Sequence, residues 1–171
     1  MILTPSINLI RGWFDSGATF TEVGQVRINT NDDFFYNTSG LISGGNGSEE
    51  NPWIIENVKI QPDDTDGIVI QDTNDHFILR NCWVWDVESM NWDNHHGIYL
   101  INVTNGRIED CKVTPDPIAV PSPSEPAFVP SWCAIRLQGC TNCTLERNLI
   151  MQRFVEQIAH VAEDNQSPLV L

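Results

Sequence analysis

Basic residues are scarce in this sequence. Its 171 residues include 9 Lys and Arg but 23 Asp and Glu, which gives a formal net charge of −14. Because so acidic a chain repels phosphate backbones, the charge argues against nucleic-acid binding. No apolar run reaches the roughly 18 residues of a membrane-spanning helix, so we expect no membrane span. Residues 1–10 lack a basic stretch followed by an apolar one, and we expect any secretory signal peptide to be absent or already removed.

The usual residues of helix surfaces are also sparse. Lys, Glu and Ala are not abundant, whereas the chain holds 16 Asn and 11 Gly. Asn and Gly favour turns and left-handed backbone positions, and Val and Ile favour strands. Hydrophobic residues make up 41% of the chain, which is enough for the core of one domain. The composition therefore predicts a folded β-structure with frequent tight corners.

The cysteines do not show whether the protein works in an oxidising or a reducing cellular compartment, because the five of them cannot all form disulfides within one chain. Cys140 and Cys143 have the C-x-x-C spacing of redox and zinc motifs, but a zinc site would need two more ligands at a matching spacing. Stacked buried cysteines would instead be small, unreactive hydrophobic residues. We expect no cofactor, with Ca²⁺ as the one possible exception.

Three segments of the chain resemble one another. They begin at Gly67, Gly97 and Ala134, and a partial copy begins at Trp53. Each has a short alternating apolar stretch, a polar corner rich in Asn, Asp, Thr and Gly, a second alternating stretch and a third short strand. Alternation is the period of a half-buried strand.

Equivalent residues of the repeats recur in the same order, so they are expected to lie in register about 4.8 Å apart. This arrangement predicts a parallel β-helix of about four coils. Two ladders of equivalent residues are expected at its corners: Cys82, Cys111 and Asn148 in one, and Thr73, Val103 and Cys140 in the other.

The two ends of the chain differ from the repeats. We expect a single domain with an N-terminal cap over residues 1–52 that includes cap strands, β-helix coils over 53–150, and a C-terminal helix and tail over 151–171. Apolar residues at helical spacing, from Ile150 to Val161, predict a capping helix over 151–163. Its expected role is to cover the open end of the coils or to contact another subunit.

A family resemblance follows from these residues. The run from Gly44 to Ile60, followed by Gly-Ile-x-Ile repeats with Arg-Asn-Cys and Glu-Asp-Cys, resembles the NosD-like β-helix proteins of the carbohydrate-binding-and-sugar-hydrolysis (CASH) group. The resemblance covers residues 26–150. It implies a right-handed parallel β-helix, an extracellular or cell-surface location and a role connected with carbohydrate. Copper delivery, which the NosD name suggests, is not supported, since there is no His-rich or Met-rich cluster.

The first long insertion between repeats concentrates the candidate chemistry. Aromatic faces stack on sugar rings, and carboxylates bind sugar hydroxyls or Ca²⁺. The carbohydrate-binding candidates are Trp83, Trp85, Trp92, His95 and His96. The catalytic candidates are Asp86, Glu88 and Asp93, since glycosidases need two carboxyl groups at a fixed separation. Asp86 and Asp93 are also weak Ca²⁺ candidates. The alternative is a solvated loop whose Trp side chains pack against the strands.

Three functions stay open at this point. The first, which we favour, is a non-catalytic extracellular or surface module that binds a polysaccharide or glycan. The second is a polysaccharide lyase or glycoside hydrolase. The third is a structural subunit that forms homo-oligomers through the solenoid ends or the C-terminal helix.

Overall fold

The computed structural model describes residues 19–62, 65–85, 95–114 and 133–151, together with the backbone alone of residues 161–163. The order of strands and sheets given below applies to these ranges.

Strands dominate the described residues, and they form three sheets of five strands each. Sheet A, in spatial order, contains β1 (Thr21–Val23), β5 (Val58–Ile60), β8 (Trp83–Trp85), β11 (Lys112–Thr114) and β14 (Leu149–Ile150). Sheet B contains β2 (Val26–Ile28), β6 (Ile68–Gln71), β9 (His96–Ile101), β12 (Cys133–Gln138) and β15 (Val161–Glu163). Sheet C contains β3 (Ile42–Gly44), β4 (Trp53–Glu56), β7 (Phe77–Arg80), β10 (Gly106–Glu109) and β13 (Thr144–Glu146).

The order along the chain explains why the neighbouring strands are parallel. From β4 onward the strands fall in sheets C, A and B in turn, so each strand pairs with the strand three elements later. Ile68 pairs with Ile98, and Ile98 pairs with Ile135. This is the register that the repeats predict. Among the described strands the one antiparallel pair is β3 with β4, at the N-terminal edge of sheet C.

The corners between strands account for the many Asn residues. Asn57, Asn81, Asp110 and Arg147 occupy equivalent corners before sheet A, and each has a positive φ between 49° and 58°. Asn and Asp tolerate this left-handed conformation better than other residues with a Cβ. The Asn side chains also bond along the stack, since Nδ2 of Asn81 donates to Oδ1 of Asn57 over 2.7 Å. The same Asn therefore satisfies the backbone turn and ties two neighbouring strand layers together.

Both predicted corner ladders agree with the pairing. Arg80 pairs with Glu109 and Trp83 with Lys112, which places Cys82 beside Cys111. Asn148 continues this ladder, because its Oδ1 accepts from the Cys111 N–H and its Nδ2 donates to the Ile108 carbonyl, both over 2.9 Å. In the other ladder the Thr104 N–H donates to the Thr73 carbonyl, and the Thr141 N–H donates to the Val103 carbonyl.

A short helix, α1 (Asn31–Phe35), lies at the N-terminal end of the stacked strands. Its Phe34 is fully buried and stacks against Phe77 and Trp53, with ring centroids 5.4 and 6.3 Å away. Burying such a ring contributes roughly 1.5–3 kcal/mol. The segment predicted as cap strands therefore includes a helical turn, and one aromatic side chain fills the core at this end.

The predicted fold, a short right-handed parallel β-helix with N-terminal cap strands and a C-terminal capping helix, is wrong as a description of this structure. The described residues form three sheets with parallel strands, and the only helix among them has five residues. The segment predicted as a helix includes a strand instead, since Val161 pairs with Ile135 at the edge of β12. An unpaired strand edge offers backbone donors and acceptors, and β15 satisfies them. Residues 152–160, the rest of the predicted helix, lie outside the described ranges.

Candidate functional site

Two tryptophans lie side by side on the outer face of sheet A. In β8 the side chain of Val84 points inward and is fully buried, so the alternation of a strand directs Trp83 and Trp85 outward. Both tryptophans remain partly exposed. Trp83 pairs with Lys59 on one side and with Lys112 on the other. The chain's two lysines therefore flank one tryptophan on the same face.

Lys59 lies between the two indole rings. Its Nζ is 5.2 Å from the ring centroid of Trp83 and 5.2 Å from that of Trp85. The same Nζ is 2.8 Å from Oε1 of Glu22, whose side chain is largely exposed. A cation this close to a ring face is attracted by the ring quadrupole, by about 0.5–1 kcal/mol at an exposed position. The two rings and one carboxylate therefore hold the ammonium group in place.

Trp83 is anchored by its other contacts. Its Nε1 donates a hydrogen bond to Oγ1 of Thr114 over 2.9 Å. Phe20 packs edge-on against the ring, with centroids 6.2 Å apart. These contacts fix the ring of Trp83, which makes it a support for the neighbouring side chains.

A shallow groove of about 380 Å³ lies beside this support. It is lined by Glu22, Val23, Gly24, Lys59, Gln61 and Trp85. The lining combines one aromatic face with a carboxylate, an ammonium group and an amide. Hydrogen-bond donors and acceptors around an aromatic ring are what a sugar ring needs, since its hydroxyls are polar and its ring face is apolar.

His96, a predicted sugar-binding residue, is 2% exposed and belongs to a different cluster. Its Nδ1 accepts from the Cys133 N–H over 3.1 Å, and its Nε2 lies 3.1 Å from Nη1 of Arg136. The ring of Tyr99 packs edge-on against it, with centroids 4.8 Å apart. Burial lowers the pKa of His96, and the charge of Arg136 adds to that effect. The structure therefore gives His96 a packing role on sheet B, while the neighbouring His95 is half-buried.

The other predicted site residues lie outside the described ranges. These are the catalytic candidates Asp86, Glu88 and Asp93, the sugar-binding candidate Trp92, and the Ca²⁺ candidates Asp86 and Asp93. Within the described residues, no group of three or more His, Cys, Asp or Glu side chains is arranged to hold a metal ion.

The outer face of sheet C carries charges that pair with one another. Nη2 of Arg80 lies 2.7 Å from Oε2 of Glu56, and Nη2 of Arg107 lies 2.8 Å from carboxylate oxygens of both Glu109 and Glu146. The hydrogen bond to Arg80 is the main cause of the lowered pKa of Glu56. Because both arginines remain partly exposed to solvent, these pairs stabilise the fold only slightly. Arg80 and Arg107 are therefore both engaged in ion pairs.

Sequence reasoning identified Trp83 and Trp85 but missed Glu22, Lys59 and Gln61. The repeat alignment held a signal for Lys59. Aligning Asn57-Val-Lys-Ile with Asn81-Cys-Trp-Val and Asp110-Cys-Lys-Val places Lys59, Trp83 and Lys112 in one column. Glu22 lies upstream of the repeats, and only the pairing of β1 with β5 places it opposite Lys59.

Comparisons with known proteins give no relative. No protein family, curated protein or solved structure matches the chain. In the described part of the chain no helix is long and apolar enough to cross a membrane.

Proposed function

We propose that this protein is a non-catalytic extracellular or cell-surface module that binds carbohydrate in the groove on the outer face of sheet A. The observation that carries the proposal is the position of Trp85, whose partly exposed ring lines the groove beside Lys59 and Gln61. A tryptophan on a strand surface, held open to solvent next to polar groups, is a common feature of binding sites.

Three of the residues that line the groove have a direct role in this proposal. Trp85 stacks on the apolar face of a sugar ring. Lys59 donates to a sugar hydroxyl, and Glu22 accepts from one; the two are already oriented by their 2.8 Å ion pair. Trp83 does not touch the ligand but fixes Lys59, whose Nζ contacts its ring face. Orientation before binding lowers the entropy that the complex must lose.

Affinity electrophoresis through gels containing soluble polysaccharides tests the proposal. The panel comprises neutral glucans, xylans and mannans together with the acidic polygalacturonate and alginate. We expect at least one of them to retard the protein. Replacing Trp85 with Ala should weaken retardation at least tenfold, which corresponds to about 1.4 kcal/mol.

Tyr36→Ala is the matched control. Tyr36 is also aromatic and is 70% exposed, but it does not line the groove. Its retardation should equal that of the original chain. If no polysaccharide in the panel retards the protein, or if Trp85→Ala and Tyr36→Ala behave alike, the groove is not a carbohydrate site.

The enzymatic alternative rests on Asp86, Glu88 and Asp93 and stays a prediction. Assaying the same polysaccharides for released sugar separates it from the binding proposal. Product release that Asp86→Ala or Asp93→Ala abolishes would favour a lyase or hydrolase. The resemblance to NosD-like and CASH proteins supports a carbohydrate role and likewise stays a prediction, as does the structural-subunit alternative.

A further inference from the structure

A cluster of polar side chains lies on the outer face of sheet B. Tyr99 and Arg136 pair across β9 and β12, and Cζ of Arg136 lies 5.2 Å from the centroid of the Tyr99 ring. The Tyr99 hydroxyl donates to Oε1 of Gln138, the next outward residue of β12. His96 packs edge-on against Tyr99, and its Nε2 lies 3.1 Å from Nη1 of Arg136. These four residues form one group of contacting side chains, the Arg136 cluster.

The hydrogen bonds of His96 define which of its ring nitrogens carries the proton. Nδ1 accepts from the Cys133 N–H over 3.1 Å, and it can accept only when it carries no proton itself. The ring is therefore neutral, and its proton is on Nε2. Burial, which lowers the pKa of His96, favours the same neutral form.

Two hydrogen-bond donors consequently face each other in the Arg136 cluster. Nε2 of His96 presents an N–H, and Nη1 of Arg136, 3.1 Å away, is also a donor because a guanidinium group has no acceptor. His96 is 2% exposed, and within the described residues its Nε2 has no acceptor. Buried polar groups normally have a partner. A ligand oxygen about 2.9 Å from both nitrogens would accept from the two of them.

Arg136 also has no carboxylate partner in the described part of the chain. The ion pairs found there involve Lys59, Arg80, Arg107 and Arg147. This is unexpected in a chain with 23 acidic and 9 basic residues. The contacts of Arg136 with a ring face and a histidine orient its guanidinium group but leave its charge uncompensated. The cluster therefore presents an oriented positive charge to an anion.

The cluster favours a planar anion with a single charge. A guanidinium group is flat and matches the two oxygens of a carboxylate. Because Oε1 of Gln138 is engaged by Tyr99, the amide nitrogen of Gln138 is the group that faces a ligand as a donor. The carboxylate of Asp66 accepts from the backbone N–H of His96 over 2.7 Å, so it lies near the cluster. Its charge would repel a doubly charged phosphate more strongly than a carboxylate.

We propose that the Arg136 cluster is a binding site for a carboxylate group, carried either by a simple organic acid or by a uronic acid. One carboxylate oxygen accepts from both Nε2 of His96 and Nη1 of Arg136, and the other accepts from Arg136 and Gln138. This site lies on sheet B, whereas the groove proposed for carbohydrate lies on sheet A. The two proposals therefore succeed or fail separately.

Titration of the isotope-labelled chain, followed by nitrogen–proton NMR, tests the proposal. The probes are acetate, galacturonate, inorganic phosphate and the neutral sugar galactose, at constant ionic strength. The readout is the Nε2–H resonance of His96, which is assigned by its loss in His96→Asn. We expect acetate and galacturonate, or galacturonate alone, to shift this resonance. The first result identifies carboxylates in general as ligands, and the second identifies uronic acids.

Variants of Arg136 test its role, and the same sheet offers a matched control. Arg136→Gln should weaken carboxylate binding about tenfold or more, because it removes the charge and the paired donors. Arg136→Lys keeps the charge without the planar donors and should bind with an intermediate affinity. Arg27→Gln removes the same charge from an exposed position in the same row of sheet B, where Arg27 pairs with Val69 and Val69 with Tyr99. It should bind as the original chain does.

Four results would show that the proposal is wrong. In the first, neither carboxylate shifts the His96 resonance, or galactose shifts it as much as they do. In the second, phosphate binds more tightly than both carboxylates. In the third, Arg27→Gln weakens binding as much as Arg136→Gln and Arg136→Lys do. In the fourth, the His96 proton is found on Nδ1, since Nε2 would then accept from Arg136 and no donor would be left without an acceptor.

Discussion

Gly97 has no room for a side chain. A Cβ built on its backbone would lie 2.5 Å from Cγ1 of Val113 and 2.6 Å from the carbonyl oxygen of Ala134. Both distances are shorter than any ordinary contact of a methyl group. Val113 is 1% exposed and packed in the core, and the carbonyl belongs to the neighbouring strand β12. Gly97→Ala therefore requires either a shift of the backbone or a displaced Val113.

The size of the effect follows from two opposing contributions. Inserting a methyl group into a packed interior typically destabilises by about 1–3 kcal/mol. Replacing Gly by Ala also restricts the unfolded chain, which stabilises by about 0.4–1 kcal/mol. We expect the free energy of unfolding of Gly97→Ala to fall by about 1–2 kcal/mol. The free energy of unfolding of Gly67→Ala should fall by the same amount, because the added Cβ would lie 2.5 Å from Cγ1 of Val84 and 2.6 Å from the carbonyl oxygen of Gly97.

Urea unfolding followed by tryptophan fluorescence measures the effect as a lower midpoint with an unchanged slope. Gly24→Ala is the matched control, because nothing lies within 4 Å of its Cβ position. It should be as stable as the original chain or slightly more so. If Gly97→Ala and Gly67→Ala are as stable as Gly24→Ala, the close packing around these two glycines does not exist in solution.

Two more predictions concern the corner Asn residues and the buried histidine. Asn81→Ala should lower the free energy of unfolding by about 1–2 kcal/mol, because Ala disfavours the φ of 49° and the bond to Asn57 is lost; Asn81→Gly, which accepts that φ, should recover part of the loss in the same urea assay. Burial lowers the pKa of His96 in the folded chain, so as the pH falls this side chain takes up a proton in the unfolded chain first. The free energy of unfolding should therefore be at its full value above the unfolded pKa of about 6.5 and should decline as the pH falls towards the lower folded pKa. The decline should be smaller in His96→Asn, which keeps an acceptor for the Cys133 N–H; an identical decline in both proteins would contradict this role for His96.

The repeats predicted the pairing register because each copy carries its own alternation and corner residues. Ile68, Ile98 and Ile135 mark equivalent inward positions, and Asn57 and Asn81 mark equivalent turns. The C-terminal segment has no such copy, and its helical spacing was misleading. The competing influence was the open edge of β12, whose backbone groups pair with Val161. Local spacing carries no information about a partner strand elsewhere in the chain.

The candidate site was only partly predictable for a related reason. Trp83 and Trp85 stand out in the sequence because tryptophans seldom occur so close together. His96 was equally prominent, yet its burial depends on Arg136 and Cys133, residues far along the chain. Glu22 carries no local signal, and its position opposite Lys59 follows from the pairing of β1 with β5. Groove residues that come from separate strands can be identified only when the strand pairing is known.

The register of sheet B has a consequence for how this protein can change. Three of the connections from sheet A to sheet B have different lengths, over residues 61–67, 86–95 and 115–132, yet Ile68, Ile98 and Ile135 remain directly opposite one another. The strands and corners, and not the connections, therefore fix the alignment. A doubling of the length of a connection adds only about 0.6 kcal/mol to its closure entropy. New binding segments can thus be inserted at this one edge of the fold, layer by layer, while the stacked strands keep their pairing.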